Sequence, residues 1–488
     1  MNRAEDRSAE VLPGNAWEAQ SLLLGRVRDV GLREARLLPP ETSIREAARL
    51  MAERGLDCVL VAGAEGPGIV TGTDMRNALA LEGLAPDAHL GGIARRPVVT
   101  VGEDELLVQA LVLMDRHGKR RLAVTAGDGS VSGVLEQADL LHFLADHSQA
   151  IATRIRQAER PEDLKPAFAA LLRLIGTLHR NGVRTENIGQ LASELNAAIF
   201  QRAFELVMPP EVQANTCLVV MGSEGRREQI LPTDQDNALV VRDGFERTDL
   251  PALCASLSSA LIDLGYPPCP GKIMVSNPEW VMSETGFRER VSKWIWSEHT
   301  ESVMNLAIFF DGHAVAGDAG LLEGVRAHLL ERLGDRDSYF ARFAAPMNMF
   351  PPPLKLFSRF RLEREGEHAG MLDLKKGGIF PLVHGVRSLA LEKRLPETGT
   401  LQRIRRLQEL GALDRRFVRE LSEAFEFLSR LRARNGLAAL AEGREADNYA
   451  RPADLTSLDQ DMLRDSFRVV LRLRDLIRHH FRLDVLGL

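Results

Sequence analysis

Long apolar runs, paired cysteines and abundant aromatics are all scarce in this chain of 488 residues. No apolar stretch approaches the roughly 20 residues that a membrane-spanning helix needs. Met1 to Gly14 is charged and has no apolar centre, which argues against a secretory leader. The four cysteines, Cys58, Cys217, Cys254 and Cys269, are scattered and have neither zinc-ligand nor redox spacing. Aromatics make up only 5% and the net charge is −6, so neither stacking platforms nor a general attraction to nucleic acid is on offer. No His-Asp dipeptide occurs anywhere, which leaves no evident metal-phosphohydrolase motif. A cytoplasmic protein with no membrane partner is expected. What remains, 45% hydrophobic and 27% charged residues, is ordinary globular composition, and the length suggests about three domains.

The most informative stretch is GSEGRREQILPTDQDNALVV, residues 222–241. It follows the apolar run Cys217–Met221, short enough and bounded by glycine so as to read as a buried strand. A second strand, Asn237–Val241, is opened by Asp234 and Asp236. Residues two apart in a strand point to one side, so these carboxylates can hold a divalent metal between them. Gly222 permits close backbone approach to phosphate, and Ser223 offers a hydroxyl. Arg226, or Arg227 beside it, supplies a permanently charged phosphate contact, with surface pairing to Glu224 or Glu228 as the alternative.

Gly-Ser followed about a dozen residues later by Asp-x-Asp resembles the nucleotidyltransferase superfamily that includes DNA polymerase beta. Gly222-Ser223-x-Gly225-Arg226-x-Glu228 is similar to the start of the PII-protein uridylyltransferase core, and Asp234-Gln235-Asp236-Asn237 resembles a bacterial group of nucleotidyltransferase-like proteins that carry a CBS pair. The resemblance implies a third carboxylate from a later strand. Leu306–Phe310 reads as that strand, Asp311 at its end as the third metal ligand, and Asp318 as the fallback. Magnesium or manganese at Asp234, Asp236 and Asp311, with a nucleoside triphosphate as substrate, is the implied chemistry.

Residues 30–146 contain an internal repeat. Ala48–Val61 aligns with Leu111–Val124, and Gly68–Met75 with Gly133–Leu140. Each copy reads helix, strand, turn, strand, helix, a unit that leaves a sheet face for its twin to bury. This resembles a CBS pair, a module that commonly binds adenosine nucleotides such as AMP or ATP and often dimerises. The resemblance puts Thr71 on phosphate and Asp74 on ribose; copy two keeps Asp139 but has Glu136 where the hydroxyl belongs, a carboxylate expected to repel phosphate. A pair that binds nothing and only dimerises is the alternative.

The expected fold class is α/β plus all-α, laid out as an extension over 1–29, a CBS pair over 30–146 (copies about 30–83 and 90–146) and a helical linker over 150–210. A polymerase beta-like mixed sheet with helices follows over 211–320, then a helical domain over 321–488. Leu164, Phe168, Leu171, Ile175 and Leu178 mark a linker helix that Asn181-Gly182 ends. In the last domain, Phe417, Leu421, Phe425, Leu428 and Leu431 form one core stripe; Met462, Leu463, Phe467, Val470 and Leu471 form another. The arginines around positions 403–406 and 464–472 read as solvated helix faces. Lys375-Lys376-Gly377-Gly378 precedes a helix start and suggests a phosphate cradle, and Lys272 lies in a Gly- and Pro-punctuated loop of the same family type. The expected activity moves a nucleoside monophosphate from an NTP to a hydroxyl on a protein, such as a signalling protein, or on a small molecule. The alternative is an inactive nucleotide-sensing adaptor. The enzymatic reading requires that the carboxylate pair face the glycine turn and not be plugged by a lysine of the chain.

Overall fold

The computed structural model describes residues 26–63, 66–137, 150–180, 183–334, 337–354 and 360–486. The chain divides into two units, one of residues 1–150 with 180–183, the other of 151–179 with 184–488.

In the first unit, copy one runs β1 (Leu37–Leu38), helix Ile44–Arg54, β2 (Cys58–Val61), β3 (Gly68–Thr71) and helix Gly72–Ala80. Copy two runs β4 (Thr100–Gly102), helix Leu107–His117, β5 (Arg121–Thr125) and β6 (Val131–Glu136). Ser43 and Glu46 cap the first helix reciprocally, and Gly55 ends it in the left-handed region at φ 63°. Both sheets share one topology, with the leading strand parallel to the second and the second antiparallel to the third. The leading strands of two or three residues went unseen in the sequence because they are too short to show a period. Each sheet gains an edge bridge from the segment that precedes the other copy, Arg33 pairing with Val134 and Arg95 with Ile69. Leu60, Val98 and Ala123 are buried together, so the copies share a face, as the repeat requires.

The second unit centres on a mixed sheet, β7 (Thr216–Val220), β8 (Asn237–Val241), β9 (Val281–Ser283) and β10 (His313–Gly317), in the order β10-β7-β8-β9. Only the β8–β9 pair is parallel. Every residue of β7 and β8 is buried, as expected for a central pair. The expected strand Leu306–Phe310 is instead the end of helix Thr300–Phe310. Val303, Leu306, Ala307 and Phe310 are buried at helical spacing, a pattern that a five-residue window cannot separate from a buried strand.

Helices Lys165–Arg180 and Thr185–Val207 occupy the segment read as a helical linker. Beyond the sheet come helices Phe380–Glu392, Thr400–Glu409, Arg415–Ala441 and Ser457–His480. The first stripe is buried throughout; in the second, Met462 is exposed and Leu471 half-buried. The helical texture is broken by a two-stranded pair, β11 (Leu372–Asp373) with β12 (Tyr449–Ala450). One hydrophobic core runs from Cys217 on β7 to Leu483, so the sheet and the C-terminal helices are packed as one body. Among the described residues, no helix is long and apolar enough to cross a membrane.

Candidate functional site

Four consecutive residues, Asp234-Gln235-Asp236-Asn237, alternate in role. Gln235 and Asn237 are buried and hold the 266–275 loop. The Gln235 side-chain amide donates to the Tyr266 carbonyl at 3.1 Å, the Asn237 backbone N–H donates to the Ile273 carbonyl at 3.0 Å, and the Asn237 side-chain oxygen accepts from Val275 N–H at 2.8 Å. Strand alternation then sends Asp234 and Asp236 to the opposite side. Burial, and next the negative charge of Asp234, push the Asp236 carboxyl up to about 6. Cys269 hydrogen-bonds to that carboxylate, and its own thiol is pushed up to about 12.

The turn after β7 is built against this pair. Met221 N–H donates to the Asp236 carbonyl at 2.8 Å. Gly222 has φ 58°, and a Cβ there would overlap the Asp236 carboxylate oxygen Oδ2. A Cβ on Gly225 would overlap the Asp311 carbonyl. Both glycines are therefore demanded by packing, and Gly222 by its left-handed backbone as well. The Ser223 hydroxyl donates to Gln229 Oε1 at 2.6 Å, and Gln229 donates to the Asp234 carbonyl at 3.1 Å. Ser223 is thus tied to the strand that carries the carboxylates. Between the glycines, Glu224 is buried with no cationic partner among the described residues. It accepts from Asn196 at 3.2 Å, and burial pushes its carboxyl up to about 8.

The structure corrects the role drawn for Asp311. It caps a helix rather than ending a strand, it is fully buried, and both oxygens are held by guanidinium groups. Arg226 Nη1 lies 2.8 Å from Oδ2, Arg403 Nη1 lies 2.7 Å from Oδ1, and Arg387 Nε reaches both oxygens at 3.2 and 3.1 Å. Burial alone would raise this carboxyl; Arg387, Arg403 and Arg226 override it and hold it far below the ordinary range. A carboxylate so enclosed has no lone pair directed at a metal. Arg226 is committed to the same cluster and to Glu228 at 2.8 Å, which corrects its assignment to phosphate. Asp318, the fallback, caps helix Ala319–Leu333 and pairs with Arg242 at 2.6 Å.

From the C-terminal helices, Lys375 meets in part the condition set against the enzymatic reading: its Nζ reaches Asp234 Oδ2 at 3.3 Å. The side chain is nonetheless 43% exposed and holds one oxygen of the pair, so solvent still touches the ammonium. Lys376 turns away, its amide to Asp373 at 2.8 Å and its ammonium over the Phe350 ring. The expected glycine cradle is corrected: Gly377 packs on Pro353 and Gly378 on Leu428 and Phe467, too buried to meet a phosphate. Arg432 bonds to Thr233 at 3.1 Å and feels the charges of Asp234 and Asp373; no motif had pointed to it. Lys272 is exposed at φ 56° in the 266–275 loop, its carbonyl accepting from Asn277 at 2.9 Å.

The carboxylate pair is a hard-oxygen donor set whose repulsion is relieved by one lysine, which fits a divalent cation. Asp234 and Asp236 are the residues that would hold it. Among the described residues, no group of three or more His, Cys, Asp or Glu completes such a site.

In the first unit, Thr71 and Asp74 cap helix Gly72–Ala80 reciprocally, the hydroxyl donating to Asp74 at 2.6 Å. Arg95 donates to the other Asp74 oxygen at 2.6 Å. With Lys119, Arg120 and Arg121 these residues line a cavity of about 220 Å³. Glu136 is neutralised by Arg121 at 2.5 Å and Arg33 at 3.3 Å, which removes the repulsion expected of it. Asp139 lies outside the described residues.

Residues 169–301 match the family described as "Putative nucleotidyltransferase DUF294", and residues 337–481 match "Putative nucleotidyltransferase substrate binding domain". Residues 27–81 and 90–146 each match the CBS domain. The chain therefore joins a CBS pair to a segment of that nucleotidyltransferase type and to the substrate-binding segment named with it. It is 25% identical over 125 residues to an uncharacterized protein of Methanocaldococcus jannaschii, covering 25% of this chain and 40% of that one. It is 33% identical over 106 residues to an uncharacterized protein of Methanopyrus kandleri, covering 21% and 54%. The chain thus spans about half or less of the length of these curated relatives. Among solved structures, a CBS domain protein of Pyrobaculum aerophilum complexed with AMP is 25% identical, covering 25% of this chain and 98% of that one, with a TM-score of 0.23.

Proposed function

We propose that the second unit is a divalent-metal-dependent nucleotidyltransferase, and that adenosine nucleotide at the CBS pair regulates it. The observation that carries this reading is the alternation at 234–237. Gln235 and Asn237 are used up as internal pins, and two repelling carboxylates are held on the other side, Asp236 against a turn whose glycine it requires. A fold gains nothing in stability from that repulsion, so a cation-binding role accounts for it.

In the reaction, a hydroxyl oxygen of the acceptor bonds to the α-phosphorus of a nucleoside triphosphate. The bond from that phosphorus to its bridging oxygen breaks, pyrophosphate leaves, and the hydroxyl proton passes to solvent. Metal bound at Asp234 and Asp236 would supply charge neutralisation at the triphosphate. Ser223 and the 222–225 turn face the phosphate end, and Lys375, released from Asp234, would move its charge to the triphosphate. At the CBS pair, Arg95, Lys119 and Arg120 suit an anionic phosphate beside Thr71 and Asp74.

The test is incorporation of label from α-labelled triphosphates into acceptors of a cell extract, with Mg²⁺ or Mn²⁺ and Asp236→Asn as control. A metal-dependent product lost in the variant supports the reading. Two observations favour a second reading as a non-catalytic nucleotide sensor: Lys375 on Asp234, and the withdrawal of Asp311 into an arginine cluster. Absence of turnover with every triphosphate, alongside intact AMP binding, would decide for the sensor.

A further inference from the structure

Two cavities lie against the Gly-Ser turn inside the second unit. The inner one, about 40 Å³, touches Ser223 and Thr233, the neighbour of Asp234. The outer one, about 90 Å³, reaches Thr185, Gln190 and Gln402. They share a wall of Arg226, Glu228, Ile230, Phe425 and Ser429, so they adjoin as one two-part hollow whose lining comes as near the carboxylate pair as Thr233.

The carboxylates of the outer cavity are already matched within the protein, and its remaining cation, Arg227, is exposed and lies 3.1 Å from His313 Nε2. Each of its three carboxylates has an arginine: Glu228 with Arg226 at 2.8 Å, Glu186 with Arg405 at 3.0 Å, and Glu426 with Arg184 at 2.9 Å. A cationic ligand would have to break one of these pairs to reach a carboxylate. The apolar part of the lining, Ile230, Leu401 and Phe425, suits C–H faces. The polar remainder consists of hydroxyls and amides, groups that exchange hydrogen bonds with alcohols. Thr185 is the telling member. It is 5% exposed, and its hydroxyl has no hydrogen-bond partner among the described residues. A buried hydroxyl without a partner costs stability, which a bound polar ligand would recover.

We propose that this hollow is a binding site for a small uncharged polyhydroxylated molecule, of the sugar or polyol class, and that this molecule is the nucleotidyl acceptor. The acceptor role rests on the transferase reading above; the binding site does not. It places the accepting hydroxyl in the inner cavity near Thr233 and the ring or carbon chain against Phe425.

The test uses the full chain without nucleotide or metal. It is titrated calorimetrically with glycerol, myo-inositol, glucose and N-acetylglucosamine, and with free serine and a serine-containing peptide as charged controls. At least one neutral polyol binds saturably. Thr185→Val keeps the shape and loses the hydroxyl, so it weakens that binding at least tenfold while leaving the melting temperature of the free protein unchanged or higher. Ser429→Trp fills the shared wall and abolishes binding. The proposal is overturned if no neutral polyol binds, if only the charged controls bind, or if binding survives both substitutions. Saturable polyol binding that follows this pattern, without transfer in the labelled assay, keeps the site and removes the transferase reading.

Discussion

Gly222 and Asp236 are fitted to each other: the position a Cβ would take on the glycine is filled by the carboxylate oxygen Oδ2 of the aspartate. Since Gly222 also sits at φ 58°, Gly222→Ala meets both backbone strain and overlap. The variant should lose about 1–3 kcal/mol of stability and at least a hundredfold in turnover, because relief comes only by moving Asp236. Denaturant melts and single-turnover assays read the two effects. Wild-type turnover in Gly222→Ala would mean that the close fit has no part in the chemistry.

Asp311 joins the sheet to the C-terminal helices through Arg226, Arg387 and Arg403. Its folded carboxyl lies below the ordinary range, so the unfolded chain binds its proton more readily. The stability it contributes is therefore complete above about pH 4, its unfolded value, and is lost as pH falls toward the folded one. Asp311→Ala leaves buried arginines uncompensated and should cost about 3–5 kcal/mol, with a flatter acid limb in the melting-temperature profile. A metal ligand with no structural role would instead leave the melting temperature of the metal-free protein unchanged.

Glu224 works in the opposite direction. Burial raises its carboxyl from 4.5 to about 8, so the folded protein holds a proton that the unfolded chain has released across that window. Stability should then fall as pH rises from about 5 to 8, by up to about 1.4 kcal/mol per unit from this group. Glu224→Gln keeps the Asn196 contact and should flatten the slope. An unchanged slope in the variant would place the carboxyl's titration elsewhere.

Lys375 and a divalent cation compete for Asp234. Lys375→Met should tighten Mn²⁺ binding to the nucleotide-free protein several-fold and raise the KM for triphosphate, since the same ammonium is assigned to the phosphates once displaced. Equal Mn²⁺ affinity in both proteins would show the 3.3 Å contact to be incidental.

Much of this was legible in the chain itself. The repeat at 48–61 and 111–124 announces two equivalent sheets, and the run Cys217–Met221 with Asn237–Val241 marks the central strand pair, because continuous burial leaves an unbroken apolar signature. Asp234 and Asp236 stand out because two-residue spacing is itself a geometric statement; the same rule, applied to Gln235 and Asn237, would have found the pins of the 266–275 loop. The third carboxylate was misplaced for a local reason. Leu306–Phe310 is as apolar as a strand, and its helical period shows only when Val303 is included. The partners of Asp311 come from positions 226, 387 and 403, and nothing in the local sequence announces such distant pairing. The glycines at 377–378 look like a phosphate loop, but they are small because Pro353, Leu428 and Phe467 leave no space.

The central claim is that Asp234 and Asp236 together hold a divalent cation. Mn²⁺ titration followed by the electron paramagnetic resonance of the free ion tests it on the full chain, alongside Asp236→Asn. The wild-type protein should take up Mn²⁺ saturably, and Asp236→Asn should lose at least tenfold in affinity while melting no lower, since it removes a repulsion. Equal uptake by both proteins, or no uptake by the wild type with or without triphosphate, would contradict the account.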